Sequence, residues 1–377
     1  MNATSRIARI EVQRVEDAPL ARPMHIAWDP GTVRTTDSFT VVRVYDEDGR
    51  MGIGTGGRAK PLRSACSMLI GAGVFDVERH AEVLRQVGGA FGLDTAIWDL
   101  MGKIRDDPLA VLWGGRCDRV RAYVATVELG SPERRAEDAV GFAEEGFLGM
   151  KLRLHNPRIE DDIALAAAVR EAVGDRLVLM ADANQARAAQ RDTEVRWSYD
   201  RAVDTARALE ELGFAWLEEP RPIDAIDELA NLRATVGIPI AGGERDASPA
   251  AFDRLLDGAA YDIFQPDGLV VGSVGSLREI AAMTAASGKQ CVMHHGGGGI
   301  GAYAHLHLAA AICNAPWFEV LRDRPGEIPW PAQLAPDQPI AIDAHGDVLV
   351  PSAPGLGITP DEEFLDAHTA TRTVYGA

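Results

Sequence analysis

Three carboxylates stand at the downstream ends of three successive strand-like runs in the middle of the chain. Asp182 closes Val178 to Ala181, Glu218 closes Phe214 to Leu217, and Glu244 closes Ile238 to Gly243. Glu218 lies 36 positions after Asp182 and Glu244 lies 26 after Glu218, each about one βα unit, the first lengthened by the polar stretch Arg187 to Trp197. In a barrel of parallel strands the downstream ends open onto one mouth. Three carboxylates converging there repel one another and lose hydration, unless a hard divalent cation joins them. The arrangement predicts a Mg2+ site. Neighbouring strand residues face opposite sides, so Glu218 and Glu219 do not both ligate one ion. The plainer alternative is three unrelated acids that cap helices or face water; their recurrence in successive units favours the metal.

Two basic residues precede the acids. Lys151 and Arg153, in Gly149-Met150-Lys151-Leu152-Arg153, are two apart and share one face of a strand. That face brings both to the mouth, into salt bridges with the acids, or out to solvent. Further on, Asp267 follows Ile263-Phe264-Gln265-Pro266, and His294-His295 follows Cys291-Val292-Met293. A carboxylate on one imidazole nitrogen fixes the tautomer and raises the basicity of the other, which makes a general base. Alternation lets only one of the two histidines point inward. Glu319, ending Trp317-Phe318-Glu319, faces the same mouth or serves structure. The glycine run Gly296 to Gly299 lacks the lysine and spacing of a phosphate loop and is expected to let substrate or backbone approach closely. His305 and His307, two apart on a helix, read as packing or surface residues.

The elements that position these residues follow from rhythm and composition. Of 377 residues, 46% are hydrophobic and 25% charged, the balance of an ordinary globular protein with room for more than one folding unit. A net charge of -18 argues against nucleic acid as a partner. Four scattered cysteines without a CxxC pair suit reduced thiols. With no signal-like start and no membrane-length apolar run, a soluble cytoplasmic protein is expected. Strand-like segments and then helical ones up to residue 117 suggest an α+β domain, with strands at Ile7 to Val12 and Ser38 to Tyr45 and helices at Val77 to Gln86 and Leu93 to Lys103. From residue 118 to 324, eight strand-like starts alternate with amphipathic stretches such as Asp162 to Val173, Arg201 to Leu212 and Leu277 to Ser287. The fold class is therefore α/β, a TIM-type (β/α)7β barrel under an α+β capping domain. The tail, residues 325–377, is expected to return to the cap, through a strand at Asp347 to Pro351.

The motifs together resemble the enolase superfamily, and within it the mandelate racemase-like branch. They run from Thr95-Ala96-Ile97-Trp98-Asp99-Leu100 and Leu112-Trp113-Gly114-Gly115 through Lys151-Leu152-Arg153, Asp182-Ala183-Asn184-Gln185 and Glu218-Glu219-Pro220. Gly242-Gly243-Glu244, Gln265-Pro266-Asp267 and His295 complete them. The resemblance implies Mg2+ on Asp182, Glu218 and Glu244, selecting Glu218 over Glu219. It selects His295 as the base, with His294 in the place of a usual proline and Asp267 as the dyad partner. Glu319 corresponds to an acid near the developing enolate, and Asn184 to a polar group near the substrate. The activity implied is removal of the proton α to a carboxylate, with the metal stabilising the enediolate.

One position departs from the pattern. Where such enzymes often carry a second lysine as a second base, this chain has Arg153, which stays protonated. Racemisation needs groups on both faces of the substrate; dehydration needs one. The expectation is a Mg2+-dependent hydro-lyase that converts a sugar acid, a small-molecule carboxylate, into its 2-keto-3-deoxy product. The alternative is a racemase or epimerase using Lys151 with His295, and a non-catalytic metal-binding barrel is a third. The resemblance places substrate specificity in capping-domain loops, here expected over Ala18 to Pro30, which offer Arg22, His25 and Trp28 as substrate contacts. Related enzymes assemble as homo-oligomers, dimers or octamers.

Overall fold

Val42 and Val44 are two apart on one strand and so share a face. They enter a core with Ile7, Ile10, Leu62, Cys66, Leu93, Ile97 and Leu100, while Val41 and Val15 turn the other way and join the core around the barrel. This two-sided strand is the hinge of the architecture in the computed structural model, which describes residues 5–29, 31–115, 117–186, 195–295, 299–327 and 338–376. Strands β1 (Ile7–His25), β2 (Val33–Asp46) and β3 (Met51–Thr55) form an antiparallel sheet. Helices Ala59–Leu69, Val77–Val87 and Phe91–Arg105 follow it in the chain. Gly54 lets the last of these lie directly on β3, because a Cβ there would overlap the Gly92 carbonyl. Buried Asp99 fastens the same helix, accepting from Ile53 N–H at 2.8 Å, Leu356 N–H at 2.7 Å and Lys103 Nζ at 2.8 Å.

Eight parallel strands make the second unit: β4 (Arg119–Ala125), β5 (Gly149–Arg153), β6 (Val178–Asp182), β7 (Leu217–Glu218), β8 (Ile240–Gly242), β9 (Ile263–Phe264), β10 (Gln290–Cys291) and β11 (Phe318–Leu321). Each pairs with the next from β4 to β10, and β11 pairs with β4. Seven longer helices intervene among the described residues, from Pro132–Glu144 to Gly299–Ala311, together with a short one, Gly268–Val271, after β9. Four of them begin at a serine whose hydroxyl accepts from a first-turn N–H: Ser131, Ser198, Ser248 and Ser273. Between β10 and β11, which stand at the two ends of the ladder, Cys291 N–H donates to the Asn314 carbonyl at 2.9 Å.

Two expectations about the chain's path need correction. The capping segment from Ala18 is not all loop: β1 runs on to His25, paired with β2 through irregular steps as far as His25 with Val33. The strand at Asp347–Leu349 does not return to the cap; it pairs antiparallel with the start of β4, Val348 opposite Val120. The return is made by Thr369–Gly376, which pairs with β1. Among the described residues no helix is long and apolar enough to cross a membrane. Most of the glycine run, residues 296–298, lies outside the described residues.

Candidate active site

Alternation decides what lines the barrel. Tyr123, Ala125, Met180, Trp216, Ala241, Ile263, Val292 and Leu321 form one apolar cluster with Met24 and Ile26 from the hairpin above. Their strand neighbours Val124, Leu179, Ala181, Leu217, Ile240, Phe264, Cys291 and Val320 belong to the core between strands and helices. Two residues downstream of the inward Met180 and Trp216 come Asp182 and Glu218, which are therefore inward too. Lys151, Arg153 and Glu319 are likewise buried.

Each of the three expected metal ligands is held by a cation. Lys151 Nζ lies 2.8 Å from Glu218 Oε1 and 2.7 Å from Glu319 Oε2. Arg153 bonds Asp182 through Nη1 and the Thr126 carbonyl through Nε. Glu244 Oε1 is 3.0 Å from Arg245 and its Oε2 is 3.1 Å from His294 Nε2. With the side chains so placed, no three acid, imidazole or thiol groups among the described residues converge on a point that holds a metal ion. The donor set fits a hard divalent cation in kind: three buried carboxylates, with Asp182 and Glu218 in register on paired strands. Burial pushes the Asp182 carboxyl up to about 7, and the Glu218 charge adds to it. Burial also raises Lys151's cost of charge, yet Glu218 and Glu319 outweigh it and keep the ammonium protonated above its ordinary range.

Asp267 takes a different histidine from the one expected. His294 Nδ1 donates to Asp267 Oδ2 at 2.8 Å, while Leu269 N–H donates to Oδ1 at 2.7 Å. His295 turns away and donates from Nε2 to the Glu319 carbonyl at 2.6 Å, linking β11 to the segment after β10, its ring stacked on Phe318. The register explains the exchange. β10 pairs with β9 at an offset of 27 positions, 290 with 263 and 291 with 264, and the offset persists in the bridge between His294 and Asp267. Val292 points inward, so His294 does as well, and His295 shares the outer side with Cys291 and Met293. Burial alone would lower His294, but Glu244 and then Asp267 raise it to about 10. Burial lowers His295.

A cavity of about 260 Å³ opens at this mouth, lined among others by Trp28, Arg153, Asn184, Glu244, Asp267 and His294. Asn184, in the left-handed region at φ 46°, donates from Nδ2 to Asp182 at 2.8 Å and faces Arg153 Nη1 at 3.3 Å. Of the capping candidates, Trp28 covers Arg153, with 4.7 Å from guanidinium to ring centre. Arg22 is committed to Glu128, Asp323 and Glu327. His25 does not line the cavity: its neighbours Met24 and Ile26 point inward and its own side chain is exposed.

Residues 9–114 match the mandelate racemase / muconate lactonizing enzyme N-terminal domain, and residues 134–364 match the enolase C-terminal domain-like family. The chain belongs to the mandelate racemase/muconate lactonizing enzyme family. It is 32% identical over 282 residues to an arabinonate dehydratase of Saccharolobus solfataricus, covering 72% of this chain and 70% of that one. It is also 32% identical over 288 residues to a D-galactarolactone cycloisomerase of Agrobacterium fabrum, covering 73% and 72%. The crystal structure of L-talarate dehydratase from Polaromonas sp. JS666, complexed with Mg and L-glucarate, superposes with a TM-score of 0.84 at 28% identity over 99% of this chain and 100% of that chain.

Within this mandelate racemase/muconate lactonizing enzyme scaffold, several contacts were not anticipated from sequence. Gln265 donates to Glu218 Oε2 at 2.7 Å, Trp216 Nε1 lies 3.3 Å from the same oxygen, and Tyr123 OH donates to Glu319 at 2.7 Å. His155 Nε2 meets Asn184 Oδ1 at 3.2 Å. Each sits two positions from a recognised inward residue or end-of-strand residue, so period-two counting was the available signal.

Proposed function

We propose that this family member is a Mg2+-dependent sugar-acid dehydratase, which removes the proton α to the carboxylate and expels the β-hydroxyl as water to give a 2-keto-3-deoxy acid. The observation that carries it is the Asp267–His294 hydrogen bond beside three buried strand-end carboxylates. It equips one imidazole for proton transfer, whereas Arg153 on the second strand, a guanidinium, cannot take a proton.

Asp182, Glu218 and Glu244 would hold the cation. A bound Mg2+ supplies Lewis-acid polarisation of the substrate carboxylate, which acidifies the α-proton. With the three acids on the cation, Lys151 and Arg153, which pair with Glu218 and Asp182 here, would be the fixed positive charges available to the substrate's carboxylate. His294 Nε2 would then be without Glu244, the strongest of the charges that keep this imidazole protonated. Neutral His294, oriented through Nδ1 by Asp267, takes the α-proton at Nε2 and returns it to the departing hydroxyl. Glu319, with Tyr123, keeps the Lys151 ammonium in place, and Asn184 presents its amide to the substrate from the cavity wall. Four unpaired cysteines, two of them buried, suit a reducing cytoplasm.

The test is turnover of a sugar-acid library with Mg2+ in deuterated water. Wild type is expected to form keto acid, and His294→Asn to lose about 10³-fold or more of the rate. Full turnover by His294→Asn would place the base elsewhere. Stereoinversion with α-deuterium and no keto acid would make the protein a racemase or epimerase instead.

A further inference from the structure

The wall of the mouth cavity carries more positive charge than the reaction above uses. Glu244 is given to the cation, Asp267 and His294 to proton transfer, and Arg153 to the reacting carboxylate. Two charged lining residues are left over, Arg34 and Arg245, and both are arginines.

They reach the cavity from different units. Arg34 belongs to the cap, where it stands opposite Met24 on the β1–β2 hairpin. Residues directly opposite in an antiparallel pair share a face. Met24 packs into the apolar cluster inside the barrel, so the hairpin turns Arg34 towards the barrel as well. Arg34 is half-buried, and its charge also favours the ionised form of Asp37, three positions on. Arg245 belongs to the barrel, one position after Glu244, with a guanidinium nitrogen 3.0 Å from Glu244 Oε1. Each guanidinium has five N–H donors, so one carboxylate neighbour does not exhaust it.

The chemistry of this surplus selects a ligand group. A hydroxylated tail asks for donors and acceptors together and gains little from two fixed cations. A carboxylate accepts two parallel bonds from a guanidinium, and its charge is matched. Trp28, Leu269, Val270 and Leu321 make much of the remaining wall apolar, which strengthens charge pairing over its value in water.

We propose that Arg34 and Arg245 determine specificity for a dicarboxylic sugar acid, an aldarate, by taking its far carboxylate between cap and barrel while the reacting end lies at His294. The proposal rests on the dehydratase assignment above and names the substrate class within it.

The full chain with Mg2+ is assayed on matched pairs, glucarate with gluconate and galactarate with galactonate. The kcat/KM for each aldarate is expected to exceed that of its aldonate about tenfold or more, as for one charge-assisted pairing. Arg34→Gln keeps a donor amide and removes the charge. It is expected to cut that preference about tenfold, with the loss in KM for aldarates rather than in kcat, because the far carboxylate is bound alike before and during proton transfer. Arg34→Lys is expected to recover part of the preference, having the charge without the fork. Arg245→Gln is expected to cut the preference in the same way, and it tests the same carboxylate from the barrel side should Arg34→Gln not fold. Aldonates turned over as well as aldarates, or an unmoved preference in either folded glutamine variant, overturns the assignment of the far carboxylate while dehydration stands. Turnover of no sugar acid overturns the dehydratase assignment, and this one with it.

Discussion

Arg153 and Asp182 are register partners on β5 and β6, and both are buried. Removing the guanidinium leaves the Asp182 carboxyl buried and unpaired close to Glu218, a loss of up to about 3–5 kcal/mol for a broken buried pair. Arg153→Met is therefore expected to unfold at markedly lower urea concentration without metal, and to regain more stability from Mg2+ than wild type does, because a cation takes over the neutralising role. Equal Mg2+ shifts in the two proteins would show that Asp182 is not a ligand. The histidines make the complementary point about what a sequence discloses. That one imidazole of His294-His295 meets Asp267 was legible from the residue types. Which one was not, because the resemblance aligned His295 while the ladder offset of 27 and the inward Val292 choose His294. Register is a property of two strands, and a motif is read along one.

The β1–β2 hairpin is long because its two strands keep pairing past Ala18, and its end needs an anchor on the barrel. The anchor is ionic. Arg22 reaches Glu128, Asp323 and Glu327, while Asp323 also accepts from Val127 and Glu128 N–H at 3.1 and 2.9 Å and pairs with Arg134 and Arg135. Ala27 N–H then donates to the Val127 carbonyl at 3.0 Å, which sets Trp28 over Arg153. Arg22 is partly exposed, and Asp323 keeps two other arginines, so Arg22→Ala is expected to lower global stability by only about 1 kcal/mol. Locally the effect is larger: backbone amides of residues 24–29 are expected to exchange roughly tenfold faster in deuterated water, as a sub-global opening loses its latch. Unchanged exchange there would show that the apolar contacts of Met24 and Ile26 hold the tip alone. The barrel's βα rhythm was readable because seven helices repeat one pattern. The hairpin and the strand at Asp347–Leu349 were not, because their pairing partners are set by tertiary placement: β2 across an irregular ladder in one case, the start of β4 in the other.

Across the whole molecule, two buried histidines couple folding to pH, His307 by the cap and His305 with its Nε2 4.0 Å from Asp267. His307 accepts from Ala110 N–H at 3.1 Å and donates to the Leu356 carbonyl at 3.1 Å, a pattern that only the neutral imidazole satisfies. His305 is neutral for the same reason, and burial lowers both to about 4. Their pKa is thus depressed in the fold relative to an ordinary value near 6.5 in the unfolded chain. Between those limits the unfolded state binds the extra protons, so the stability they contribute is complete above about 6.5 and is lost as pH falls towards 4. Asp94 works in the opposite sense: burial raises it to about 7, and the fold holds the proton that the unfolded chain gives up. Its neutral form therefore adds stability as pH falls from about 7 towards 4, offsetting part of the histidines' loss. Asp94→Asn keeps an acceptor for Val274 N–H, bonded at 2.7 Å in wild type, and removes the titration. The variant's stability is expected to fall more steeply than wild type between pH 6.5 and 4, by up to about 1.4 kcal/mol per pH unit. His307→Gln is expected to be less stable at pH 7.5 and to show a shallower acid slope. Urea midpoints across that range measure both; parallel slopes in wild type and Asp94→Asn would mean that Asp94 is ionised in the fold, despite lying buried between the cap and the barrel.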